Sequence, residues 1–256
     1  MCKKLYLKFM GAIAKKIFPK ADVIYEEKPD DDVGIYCSNH GQSNGPALMT
    51  LWFNKEHSTW VINYVLDKKK APTFIFHDFM SGDVKKCKWF WKILARIEAK
   101  LLRPLLELSN PIPVYHDEKN RNIPFELSIK AIEEGKNIVI FPESPKKFSE
   151  YVSNLYTGFT NLGKMCFEKL NKRIKFYPVY CENKNHKIMI GKPIQYDETI
   201  PEEDLKTIIV EFLRDSIDRL ARLLPTHEGV PFLLDNWYQA YADNVDDMKQ
   251  YWKKFE

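Results

Sequence analysis

The sequence predicts a single α/β domain with a mainly parallel central sheet flanked by helices. Three observations lead there. Short apolar runs of strand length alternate with helical stretches between residues 33 and 224. A complete strand, helix, strand unit lies at 111–144, reading P-I-P-V-Y-H, then I-P-F-E-L-S-I-K-A-I-E-E-G, then N-I-V-I-F-P-E-S. A helix between two strands is the crossover that parallel pairing requires. No internal repeat or low-complexity linker breaks the chain, and 256 residues with 45% apolar content can build one substantial core. The expected organisation is an amphipathic basic helix over 1–20 followed by one domain over 21–256.

The N-terminal segment M-C-K-K-L-Y-L-K-F-M-G-A-I-A-K-K-I-F sets Lys4, Lys8 and Lys15 on one side of a helix, with Tyr6, Phe9, Met10, Ile13 and Ile17 on the other. Six lysines and no acidic residue fall within the first twenty positions. Two roles fit: an interfacial helix whose lysines meet anionic headgroups, or a terminal helix packed on its own domain. After the polar turn K-P-D-D-D, V-G-I-Y-C-S reads as a short buried strand. Gly45-Pro46 opens a helix, since proline's missing N–H is harmless in a first turn. Strands are expected at 58–65 and 73–77. Residues 83–108 have a helical pattern rich in aromatic and basic side chains, an amphipathic helix in which tryptophan beside lysine also suits a bilayer headgroup zone. A helix near 158–170, strands at 174–180 and 187–191, and helices near 201–224 and 233–254 complete the chain.

Composition narrows the function classes. A formal charge of +4 gives no general argument for a nucleic-acid partner. The five cysteines, Cys2, Cys37, Cys87, Cys166 and Cys181, form no C-x-x-C pair, which speaks against a disulfide framework or zinc site and for a reducing compartment. No run approaches the ~18 apolar residues of a spanning helix, and no secretory leader is evident. A cytoplasmic protein is expected, one that lies peripherally on the cytoplasmic face if it meets a membrane. A G-x-S-x-G elbow and a glycine-rich loop ending in Lys-Ser or Lys-Thr are both missing from the sequence, which disfavours a serine hydrolase and a phosphate-loop NTPase.

Ligand sites of open α/β sheets form beyond the carboxyl ends of strands. Three polar clusters take that position: N-H-G-Q-S-N-G after Ser38, H-D-E-K after Tyr115, and P-E-S-P-K-K after Phe141. A histidine, a carboxylate and lysines brought together there would suit acid-base chemistry on a phosphate-bearing substrate. His40 could also be no more than a turn residue. A metal site from His116 and Asp117 is not expected, because adjacent residues rarely face one ion.

The order of these blocks resembles the glycerolipid acyltransferase family, which includes the 1-acylglycerol-3-phosphate acyltransferases. N-H, then I-P-V-Y about seventy residues on, then F-P-E, Y-P-V at 177–179 and I-G-K-P-I at 190–194 carry the likeness over roughly Val33 to Ile194. The resemblance implies that His40 is the general base for a hydroxyl attacking an acyl thioester, without an acyl-enzyme. It implies an acyl-CoA or acyl-carrier-protein donor, a lysophospholipid acceptor at a membrane surface, and no cofactor or metal. Asn44 joins His40 as a catalytic candidate; Asn39, Ser43, His116, Glu143, Ser144, Lys146 and Lys147 are the expected substrate contacts, Glu143 positioning the acceptor.

One departure matters. The family places an aspartate five residues after the histidine to hold its ring, and this chain has Gly45. In serine proteases, loss of the orienting carboxylate costs about 10⁴ in turnover, on the order of 5 kcal/mol. Asn44 or Gln42 could hold the ring, a shifted loop register could make Asn44 the equivalent residue, or Asp78 could reach in. If Gly45 alone is the defect, Gly45→Asp should restore activity. The alternative function is a non-catalytic relative that binds lipid or acyl thioester.

Overall fold

The computed structural model describes residues 2–28, 32–76, 88–230 and 232. It is a single α/β domain. The strands of the main sheet are β1 (Asp22–Tyr25), β2 (Gly34–Ser38), β3 (His57–Ile62), β4 (Ile112–Val114), β5 (Asn137–Ile140), β8 (Lys175–Glu182), β9 (Lys187–Ile190) and β10 (Ile194–Gln195), while β6 (Glu143–Lys147) and β7 (Ser153–Leu155) form a separate hairpin. Their order is β1-β9-β8-β2-β5-β3-β4, with β10 beside β8. All neighbours are parallel except β8 with β9 and β10 with β8.

The helices are α1 (Cys2–Ile17), α2 (Asn44–Trp52), α3 (Asn63–Leu66), α4 (Ala71–Ile75), α5 (Lys88–Leu108), α6 (Ile123–Glu133), α7 (Asn161–Leu170) and α8 (Glu202–Arg222). Every residue of β2 and β5 is buried, as expected of parallel strands covered on both faces. Alternate residues feed two cores. Ile35, Cys37, Ile138, Ile140 and Phe176 pack against Ile129 of α6, Leu162 of α7 and Leu213 and Ile217 of α8. Tyr36, Val139, Tyr177 and Val179 face Leu48 and Met49 of α2, and the rings of Tyr36 and Tyr177 stack 4.7 Å apart.

Helix α1 lies on the domain. Met10 and Ala14 are buried, Lys15 sits 4.8 Å over the Trp52 ring, and the Trp52 indole donates to the Phe18 carbonyl at 3.1 Å. Among the described residues, no helix is long and apolar enough to cross a membrane.

Two expected strands change. Residues 58–65 form a strand only to Ile62, after which the chain turns into α3. The segment expected as a strand at 73–77 is helical through Ile75, with Phe74 N–H bonded to the Lys70 carbonyl. Its aromatic and β-branched residues favour a strand locally. Tertiary packing overrides that preference: Pro72 opens the helix, and Ala71, Ile75 and Phe76 bury themselves against Ala95 and Ala99 of α5. Residues 77–87 and the expected helix at 233–254 lie outside the described residues. Strands β1, β6, β7 and β10 were not legible in the sequence, being two to five residues long.

Parallel order places the carboxyl ends of β8, β2 and β5 side by side. His40 follows β2 and Glu143 follows β5, so neighbouring strands deliver them to the same place.

Candidate active site

The loop from Asn39 to Ser43 is tightly built. Asn39 is buried, and its amide clamps β8: Oδ1 accepts the Cys181 N–H at 2.7 Å and Nδ2 donates to the Cys181 carbonyl at 3.2 Å. Gly41 and Gln42 both adopt left-handed backbone, with φ of 50° and 55°; this is open to glycine and strained for glutamine. The chain then doubles back, with Asn44 N–H donating to the Gly41 carbonyl and Gly45 N–H to the His40 carbonyl, each at 3.1 Å.

Glu143 holds this loop from the neighbouring strand. One carboxylate oxygen accepts the main-chain N–H of His40, and the Gly41 N–H also bonds the carboxylate. The other oxygen accepts the Ser153 N–H at 2.7 Å, with the Ser153 hydroxyl adding a further bond. Glu143 is only 3% exposed. Burial pushes its pKa up to about 7 even though the bonds from His40, Ser153 and Gly41 pull the other way. These bonds direct Glu143 to the backbone beneath His40; the family resemblance implies a role in positioning the acceptor.

The His40 ring sits between two aromatic rings, Phe141 at 5.4 Å and Phe232 at 5.2 Å. Its Nδ1 is buried without a hydrogen-bond partner. Burial lowers the pKa to about 4, with the Gln42 main chain pulling slightly upward. The imidazole is therefore neutral at physiological pH and a weak base. Among the described residues no carboxylate bonds the ring, and the side chains of Asn44, Gln42 and Ser43 do not either; Asp78 lies outside the described residues.

Gly45 explains why no carboxylate stands there. A Cβ at this position would lie 2.3 Å from the Asn39 carbonyl oxygen, 2.9 Å from that of His40 and 3.2 Å from the Phe141 ring. Backbone atoms cannot yield as a flexible side chain can, so this loop has no room for an aspartate at 45. That geometry argues against restoration by Gly45→Asp.

The remaining candidates spread outward. Ser43 is exposed at the start of α2, and Ser144, Lys146 and Lys147 lie on β6, with both lysines exposed. Lys147 borders a cleft of about 560 Å³ whose wall also includes Glu143, Ser149, Lys184, His227 and Phe232. His116 follows β4, three strands from β2, or about 14 Å along the sheet at normal strand spacing. Packing lowers the His116 pKa, against the pull of Asp117, though the residue keeps a solvent-exposed side. The three polar clusters thus share one edge of the sheet, and the structure joins two of them directly.

Sequence reasoning missed the wall beside His40. His227 Nδ1 lies 2.9 Å from the Pro225 carbonyl, so it carries the proton, and Nε2 accepts from the Tyr180 hydroxyl at 2.8 Å. Tyr151 packs on the same imidazole at 4.9 Å. This cluster pins the segment that brings Phe232 over His40; no local pattern marks residues so far apart in the chain. Among the described residues, no group of three His, Cys, Asp or Glu side chains could hold a metal ion.

No protein-family model matches the chain, and no curated protein matches it. Among solved structures it is similar to the 1-acyl-sn-glycerophosphate (LPA) acyltransferase PlsC from Thermotoga maritima, with a TM-score of 0.48 and 14% sequence identity, over 88% of this chain and 83% of that one.

Two predictions test the loop. Gly45→Ala should destabilise the fold by roughly 1–3 kcal/mol through overpacking, and Gly45→Asp by more, with no gain in activity; denaturant unfolding measures the first and thiol release the second. A Gly45→Asp protein as stable as wild type and more active would contradict the packing described. Glu143→Gln turns an amide NH₂ toward main-chain N–H donors, so it should cost about 1–3 kcal/mol. The folded Glu143 pKa stands above its ordinary value, so the native state binds more protons between about pH 4.5 and 7, and that contribution is lost as pH rises. His40 runs the opposite way, losing stability as pH falls from 6.5 toward about 4, in both proteins. The stability advantage of wild type over Glu143→Gln should therefore shrink as pH rises through that window. An advantage that grows with pH would contradict the raised carboxyl.

Proposed function

We propose that the chain transfers a fatty acyl group from an acyl thioester, acyl-CoA or acyl-carrier protein, to a hydroxyl of a lysophospholipid such as 1-acylglycerol-3-phosphate. The observation carrying this reading is the direct contact between two of the blocks on which the family resemblance rests: Glu143 binds the main chain of His40 across adjacent strands. His40 serves as general base. The acceptor hydroxyl attacks the thioester carbonyl as its proton passes to the imidazole. The tetrahedral intermediate then collapses, breaking the carbon–sulfur bond, and the departing thiolate takes the proton back. Lys147 and Lys184 at the cleft rim supply positive charge for a phosphate, and α1 serves as a peripheral membrane attachment on the cytoplasmic face.

Base strength limits this reaction. A general base works best with a pKa near the operating pH, and burial holds His40 near 4. When the base acts through Nε2, the proton sits on Nδ1, where no side chain accepts it. These two observations favour a second reading, a non-catalytic relative that retains the cleft and binds lipid or acyl thioester without turnover.

Free-thiol release from an acyl thioester in the presence of lysophosphatidate separates the readings. Acyl transfer predicts release by wild type and a loss of about 10²–10⁴ in His40→Ala. Ligand binding by both proteins with no release from either, across a panel of lipid hydroxyls, would reject acyl transfer in favour of the binding reading.

A further inference from the structure

Helix α5 has two apolar faces, and the described residues cover only one. Ala95 and Ala99 are buried in a cluster with Ile75 and Phe76, joined by Trp91 and Leu102. On the far side Phe90, Ile93, Ile97 and Leu101 are 50%, 43%, 49% and 52% exposed, and Trp89 at the start of the helix is 68% exposed. Positions 90, 93, 97 and 101 fall on one stripe at helical periodicity. Single exposed apolar residues are ordinary on a protein surface; a continuous ridge of large ones is not.

Charge beside the ridge points to the partner. Lys92, Arg96 and Lys100 are exposed and form a row along one flank. The two acids of α5 leave that row unneutralised: Glu98 is half-buried on the opposite flank by periodicity, and Glu107 is paired with Arg103 at 3.5 Å. An apolar ridge with an adjoining cationic row and a tryptophan at its end complements an anionic bilayer interface, where the ridge enters the acyl boundary and the cations meet headgroups. We propose that the outer face of α5 docks the protein on anionic lipid. This extends the functional reading with a surface separate from α1, and it holds whether or not the protein turns over.

Sedimentation of the full chain with vesicles tests it without a substrate. Wild type should bind vesicles of phosphatidylcholine with phosphatidylglycerol, bind phosphatidylcholine alone weakly, and lose binding as salt rises. The double variant Ile93→Ser with Ile97→Ser should bind at least roughly tenfold less, and Arg96→Ser with Lys100→Ser should remove the preference for anionic vesicles. These side chains are exposed, so both variants should keep the wild-type melting temperature. Absence of vesicle binding by wild type overturns the proposal. So does unchanged binding in the ridge variant, with Phe9→Ser and Ile13→Ser abolishing it instead, which would assign docking to α1. A wild-type dimer that the ridge variant splits, with no affinity for vesicles, overturns it too and makes the ridge a contact between copies.

Discussion

One buried carboxylate joins the ends of two neighbouring strands. Glu143 receives main-chain N–H groups from His40 and Gly41 on one side and Ser153 on the other. The fold puts it there because β5 lies directly beside β2 in parallel register. An unpaired carboxylate at this depth would be costly, and N–H groups of a loop in left-handed backbone would otherwise lack acceptors. Each side satisfies the other, so the position of His40 depends on Glu143 more than on any residue touching the ring.

That arrangement changes what the missing aspartate means. The sequence presents Gly45 as a lost carboxylate. The structure presents it as the residue that lets α2 start against the carbonyls of Asn39 and His40. A loop that needs no side chain at 45 is fixed from beneath by Glu143 and from β8 by Asn39, while Phe141 and Phe232 enclose the imidazole. The result is a histidine fixed in space whose burial lowers its pKa, with no acid among the described residues beside it to offset that, and so acyl transfer and simple binding both fit the site.

The fold class, the crossover unit at 111–144 and most long helices were legible because they rest on periodicity and on strands buried along their whole length. The α4 segment was not, since T-F-I-F favours a strand until α5 supplies a partner. Within the site, His40 and Glu143 stood out as polar residues ending apolar strands. Their mutual contact was invisible, because it depends on β5 pairing with β2 across about a hundred residues. Asn39 looked like a ligand contact for the same reason: only β8 in place shows that both ends of its amide meet the main chain of Cys181. Phe232 and the Tyr180–His227 pair carried no local signal at all.

The central claim is that the Glu143 carboxylate holds the His40 loop through main-chain hydrogen bonds. An NMR titration following the Glu143 side-chain carbon together with the amide signals of His40, Gly41 and Ser153 tests it most directly. The account predicts that all four move together, with a shared midpoint near pH 7. A Glu143 signal that titrates at the ordinary glutamate value of about 4.3, with the three amides unmoved, would contradict it.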